Sequence, residues 1–277
     1  MSEAAELTPA QLRARIRSGS WDRGTTGACL GFVQANLVVL QAELAEDFRT
    51  LCRANPRPLP LLEATAAGVP DRLHTAPGAD LTTDLPRYHI HRNGVVTEEV
   101  SDLAGVWRDD LVAFLLGCSF SAERRLQDAG VRLRHLETGR GVPMFVTALE
   151  CEGPGSLHGP MVVSMRPIAE GEVDRARQVT GRLPLAHGAP VHVGDPSAIG
   201  ITDLDAPDWG DPIDIAPGEV PVFWACGVTP QTIIRTAKPA FAVTHAPGHM
   251  FVSDVPDSAI EGRTDITGWA TATGARR

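Results

Sequence analysis

Residues 219–231 read EVPVFWACGVTPQ, and the junction inside this stretch decides the fold. VPVFWA is a short apolar run bounded by Gly227, the pattern of a strand buried on both faces. VTPQTIIRT then opens a helix, expected from Thr229 to about Ala237. Thr229 serves as its cap and Pro230 as its first residue. A strand feeding a helix through a glycine turn presents free backbone amides at its carboxyl edge. Open α/β sheets bind ligands there, and helix starts attract anions. Gln231 adds a side-chain donor in the first turn. Cys226 is expected to line such a pocket as a small side chain. No histidine adjacent in sequence supports it as a thiolate nucleophile.

Elements of both kinds flank this junction. TPAQLRARIRSG predicts a helix capped by Thr8, with Pro9 at its first position and Gly19 at its end. QAELAEDFRTLCRAN places Leu44, Phe48 and Leu51 on one helical face. YHIHRNGVVTEEV alternates around Asn93-Gly94, a two-residue hairpin signal. Ser101 is expected to cap a helix carrying Leu103, Val106, Trp107, Leu111, Phe114 and Leu115. AERRLQDAG predicts a further helix, with Ser121 as its cap. VPMFVTALEC and MVVSMRPI have strand length, and EGEVDRARQVTG reads as a helix. AFAVTHA and MFVSD are the last expected strands. Interleaved strands and helices predict an α/β fold, with mixed α+β as the variant. The expected organisation is a main lobe of residues 1–125 and 196–277. A smaller α+β lobe, 126–195, is inserted into it, and 258–277 forms a loosely held tail.

Composition narrows the function. The 277 residues carry a formal net charge of −9, which argues against nucleic acid as a partner. A single lysine, Lys238, stands against 24 arginines. It precedes Pro239 in plain-looking sequence, a poor setting for a Schiff base. Five scattered cysteines with no CxxC pair argue against a disulfide scaffold or a thiolate zinc site. No run approaches the ~18 apolar residues of a membrane span, and MSEAAELTPAQ is no signal peptide. A cytoplasmic protein, acting away from membranes, is the expectation.

Several residues could carry chemistry. LGCSFSAERR places Glu123 in the first turn of a helix, where it either complements the dipole or acts as acid or base. Arg166, at the end of the strand MVVSMRPI, is poised to hold a carboxylate bidentately. HGAPVHVGDP holds His187, His192 and Asp195 within nine residues, though H-x4-H-x2-D matches no strong zinc signature. His245 and His249 flank the Pro247-Gly248 turn, so His249 can face a cleft.

GFVQANLVVL, NPRPLPLLE, LGCSFSAE, VPMFVT, VVSMRPI, HGAPVHVGDP, PDWGD, EVPVFWACGVTPQ and PGHMFVSD occur in order from about Ser18 to Asp254. This set resembles the D-glutamate cyclase family, whose bacterial members are labelled hydro-lyases. The resemblance implies a two-part α/β fold and a water-losing reaction, with D-glutamate as substrate and 5-oxo-D-proline as product. It carries no catalytic assignment, so the roles rest on the residues. His192 is the expected base and Glu123 the expected acid, if burial raises its pKa. Arg166 holds a carboxylate, and Thr229, Gln231, Cys226 and His249 complete the substrate site. No cofactor is required. A divalent cation on His187, His192 and Asp195 is the optional one. The expected partner is a small anionic amino acid or hydroxy acid, with a homo-oligomer left open. The competing readings are a carbon–oxygen lyase that dehydrates a hydroxy acid, and a carboxylate-binding protein without catalysis.

Overall fold

The computed structural model describes residues 3–266. Chain order runs α1 (Glu3–Glu6), α2 (Pro9–Arg17), β1 (Phe32–Gln41), α3 (Ala45–Ala54), β2 (Leu61–Ala64), β3 (Tyr88–Arg92) and β4 (Val95–Val100). It continues with β5 (Leu111–Gly117), α4 (Phe120–Asp128), α5 (Arg134–Thr138), β6 (Met144–Cys151), β7 (Gly159–Ala169) and α6 (Val173–Gly181). The last elements are β8 (His192–Val193), β9 (Glu219–Ala225), α7 (Thr229–Ala237), β10 (Ala242–His245) and β11 (Phe251–Pro256).

The architecture is mixed α+β. One sheet has the order β2-β5-β1-β10-β3-β4, with β11 also on β1, and the second has the order β6-β7-β9-β8. Every pairing between strands is antiparallel. The helix α7 is therefore not a crossover between parallel strands. It lies between the sheets, its Ile233 and Ile234 packed on the larger one with Phe48, Leu51, Phe114 and Val38. The smaller sheet draws its strands from residues 144–225, so position 195 falls between β8 and β9, which pair with each other.

Local chemistry explains most elements. Thr8 caps α2 in a reciprocal box, accepting from Gln11 N at 3.3 Å while Gln11 Oε1 accepts from Thr8 N at 3.0 Å. Such caps contribute about 1 kcal/mol. Asn93 and Gly94 both take positive φ in the β3–β4 turn, as a tight hairpin needs. The helix expected from Ser101 does not form. Residues 101–110 make turns, and Leu111–Gly117 is the strand β5, buried throughout. β5 is hydrogen-bonded by β1 on one edge and β2 on the other. A run of LVAFLLG has no polar face, so periodicity cannot separate strand from buried helix. Thr229 also departs from its expected role. Val228 occupies the cap position of α7, without a side-chain bond. The stretch from 258 begins inside a 3-10 turn, Asp257–Ile260, whose Ile260 is buried. Residues 267–277 of that expected tail lie outside the described residues. All five cysteines are free and buried, and no described helix is long and apolar enough to cross a membrane.

Candidate active site

The site begins with a change of polarity along β1. Leu40 and Val38 face the apolar layer under α3 and α7. By strand alternation Asn36 and Gln34 continue the same face, and both are buried. Asn36 Nδ2 donates to Gly117 O at 2.8 Å, where β5 ends. The turn after Cys226 rests against Asn36, and a Cβ on Gly227 would collide with the Asn36 amide. A Cβ on Gly117 would collide with the Leu185 carbonyl. Gly117→Ala is therefore expected to destabilise the fold by at least the ~1–3 kcal/mol of ordinary overpacking. A thermal melt equal to that of the parent protein would contradict this.

Glu123 and Arg166 meet at the heart of this region. Glu123 projects from the first turn of α4. Its Oε1 accepts from Arg166 Nη2 at 2.6 Å and from Arg166 Nε at 3.2 Å. Arg166 also donates from Nη1 to Ser164 Oγ at 3.0 Å, and its guanidinium lies 5.5 Å from the Trp224 ring centre. His135 Nε2 stands 3.0 Å from the same Glu123 oxygen, at ion-pair range but without hydrogen-bond alignment. Burial alone would raise the Glu123 pKa, but the Arg166 guanidinium beside it, with His135 adding to its effect, outweighs burial and leaves the group below the ordinary range. Glu123 is thus a carboxylate at neutral pH, equipped to accept a proton rather than to give one.

The thiols nearby are inert. Burial pushes Cys118 up to about 12 and raises Cys226 as well, with Arg166 a smaller opposing influence on each. Neither is a thiolate at neutral pH. The Thr229 hydroxyl is committed to the frame, donating to Cys226 O at 2.7 Å and accepting from Val162 N at 3.1 Å. Gln231 Nε2 donates to His245 O at 3.4 Å, and His249 Nδ1 lies 2.9 Å from Pro247 O. This pair borders the β10–β11 turn.

The structure separates the two histidines of HGAPVHVGDP. His187 is fully buried in a left-handed conformation at φ 73°. Its Nδ1 donates to Arg57 O at 2.6 Å, and its Nε2 is buried without a partner. Burial lowers its pKa to about 4, so the ring is neutral and Nε2 carries a free lone pair. His192 is only half-buried, with Nε2 bonded to Asp195 O at 2.7 Å and its ring 5.7 Å from that of Phe223. His192 pairs with Phe223 and Arg166 pairs with Val222. Neighbouring residues on a strand face opposite ways. His192 and Arg166 therefore occupy opposite faces of the smaller sheet. Asp195 caps the turn Pro196–Ile199 by accepting from Ser197 N and Oγ at 3.0 and 2.8 Å. Among the described residues, no three His, Cys, Asp or Glu side chains gather as a metal would require. His187, His192 and Asp195 are not brought together.

A cleft of about 70 Å³ has Glu123 in its lining. Gln34, Phe120, Ser121, Arg124 and Leu136 line it, with residues 26–32. Ser121 is not a cap. It lies inside α4, and its Oγ accepts from Gln34 N at 3.2 Å. Gln34, Asn36 and His135 escaped the sequence reading. For the first two a signal existed, because two polar residues at strand spacing interrupt the apolar run of GFVQANLVVL. His135 had none, as α5 is short and its contact with Glu123 is tertiary.

Residues 112–254 match the family described as D-glutamate cyclase. The chain belongs to the D-glutamate cyclase family. Glu123, Arg166, His187 and Cys226 all fall within the matched segment of that family, whereas Gln34 and Asn36 precede it. Three relatives are similar over nearly their full lengths, and each is named "Putative hydro-lyase". The protein from Stutzerimonas stutzeri (strain A1501) is 54% identical over 92% of this chain and 96% of its own. That from Thermoanaerobacter sp. (strain X514) is 52% identical with the same coverages. That from Bacillus subtilis (strain 168) is 50% identical over 92% and 99%. A solved nitrogen repressor-like protein from Methanococcus jannaschii aligns over 85% of this chain and 91% of its own. Its TM-score is 0.37 at 10% identity, too low to bear on fold or function.

Proposed function

We propose that this chain cyclises D-glutamate to 5-oxo-D-proline with loss of water. The observation that carries the reading is an ionised, buried carboxylate, Glu123, lining a cleft and held in place by Arg166. Ring closure makes a bond from the amino nitrogen to the distal carboxyl carbon and breaks one carbon–oxygen bond. Two protons leave nitrogen, and two arrive on the departing oxygen. Carbon oxidation levels are unchanged, so no redox cofactor is needed. Glu123 takes a proton from the ammonium and returns it to the leaving oxygen, a role that suits a carboxylate in its base form. Arg166 acts as the positioning residue that keeps Glu123 charged. Holding the substrate bent supplies much of the acceleration, since the step is unimolecular.

Incubation with D-glutamate, with and without divalent cations, tests this reading. Loss of primary amine together with the 5-oxoproline signals in a proton NMR spectrum is the expected result. The rival dehydration of a hydroxy acid would instead leave the amine intact and generate alkene absorbance. Glu123→Gln is nearly isosteric and is expected to lower turnover by roughly 10²–10⁴-fold, the range for a general acid–base group. His192→Ala, on the opposite sheet face, is expected to retain most of the turnover. The reverse ranking would move the base to His192.

A further inference from the structure

Gln34 is held at three of its polar atoms and left open at the fourth. Its backbone N–H donates to Ser121 Oγ at 3.2 Å. Its Nε2 donates to Thr25 O at 3.0 Å and to Ala28 O at 3.3 Å. The backbone carbonyl continues in the strand. Gln34 is 4% exposed, yet its Oε1 is buried with no hydrogen-bond partner. The amide cannot be reversed, because that would set its oxygen against two carbonyl oxygens. A buried acceptor left unmade is costly, and this one belongs to a residue that lines the same cleft as Glu123.

The lining is ordered by chemistry. Gln34 Oε1 and the Glu123 carboxylate are two acceptors. The Glu123 contacts with Arg166 and His135 all fall on Oε1, leaving Oε2 outside that set. Leu30 and Leu136, 45% and 40% exposed, stand at the rim. Arg124 also lines the cleft, only loosely paired with Asp128 at 3.9 Å. Asp257, the other charged lining residue, is turned to Arg125 at 3.5 Å. The volume of about 70 Å³ is several times the ~10–15 Å³ that one water requires.

We infer that this cleft is an ammonium-recognition subsite, in which Gln34 Oε1 and Glu123 accept from the amino group of an amino dicarboxylate while Arg124 meets a carboxylate at the rim. This deepens the cyclase reading and rests on Glu123 serving in both. It assigns the substrate to amine-bearing acids and against oxo acids, because a carbonyl in the same place would set acceptor against acceptor.

Titration calorimetry on the whole protein tests the subsite with paired ligands. D-glutamate is compared with glutarate and 2-oxoglutarate, and D-2-aminoadipate with adipate, the latter pair avoiding five-membered ring closure. The amine-bearing member of each pair is expected to bind about tenfold or more tightly, the ratio for a hydrogen bond to a charged group. In Gln34→Met that ratio should fall towards one while glutarate affinity stays unchanged. Leu136→Trp, at an exposed position, should block every ligand without disturbing the fold, and it stands in if Gln34→Met fails to fold. Equal affinities within each pair would overturn the inference, as would unaltered binding in Leu136→Trp. Selective binding of D-glutamate without any 5-oxoproline would sink the cyclase reading and leave the subsite standing.

Discussion

Unfolding free energy is expected to fall by up to ~4 kcal/mol per pH unit as the pH drops below about 6. Three buried histidines cause this. Burial lowers His91, His187 and His245 each to about 4. These residues are 3%, 0% and 2% exposed. Each is tied through one nitrogen: His91 Nε2 to Thr244 Oγ1 at 2.9 Å, His187 Nδ1 to Arg57 O, and His245 Nδ1 to Leu37 O at 3.4 Å. In the unfolded chain the same rings take a proton near ~6.5. Between about 6.5 and 4 the unfolded state therefore binds up to three more protons than the folded one. Stability is full above the unfolded pKa and is lost as pH falls through this window. A domain of ordinary stability, ~5–15 kcal/mol, would be unfolded or nearly so by about pH 4. Urea denaturation at steps from pH 7.5 to 4.5 measures the slope. His91→Gln removes one titrating ring and should flatten the slope by about a third. A stability constant between pH 7 and 5 would show that these rings charge freely in the fold.

Removing the Arg166 guanidinium is the second large effect. Arg166→Met is expected to cost about 3–5 kcal/mol, because it leaves Glu123 charged and buried without its main partner. The double variant Glu123→Gln with Arg166→Met should recover most of that loss, since two neutral side chains of similar volume remain. Costs that simply add would mean the two residues do not act as a pair. The single variant also carries a signature that lost packing would not produce. With Arg166 gone, burial dominates and the Glu123 pKa rises, so the base form appears only at higher pH. The acid limb of the pH–rate profile should move upward, with activity partly regained in alkaline buffer. A uniformly lowered profile with an unmoved limb would make Arg166 a packing residue only. The same variants separate Arg166 as the setter of Glu123 charge from Arg166 as a direct carboxylate clamp. A clamp would show chiefly as weaker binding with the limb unmoved.

Much of the fold was legible because its signals are local. Asn93-Gly94 specifies a turn that few other dipeptides allow, and Thr8 with Gln11 closes a cap within one helical turn. The strands MVVSMRPI and EVPVFWA and the helix that follows Cys226 were readable from length, composition and a proline at the start. LVAFLLG misleads because both its faces are covered, Leu111, Ala113 and Leu115 by one apolar cluster and Val112, Phe114 and Leu116 by another, which is a property of the tertiary packing. Individual site residues were legible in the same partial way. An arginine at the end of an apolar strand and a glutamate opening a helix both stood out. Nothing local said that they meet. HGAPVHVGDP looked like one cluster because its histidines are close in sequence. A left-handed residue at His187 and a two-residue strand at His192 send the rings to different places.

Sequence alone determined the family, the hairpin, most helices and strands, and the acidic, lysine-poor character of the chain. These depend on composition and on contacts within a few residues. Tertiary structure decided which face each strand turns to its neighbours. That in turn decided that Glu123 and Arg166 neutralise each other in a buried setting and that His192 faces away from them. It also left Gln34 Oε1 without a donor. The physical reason is that burial and pairing set the charge of an ionisable group, and both are properties of what the fold packs around it.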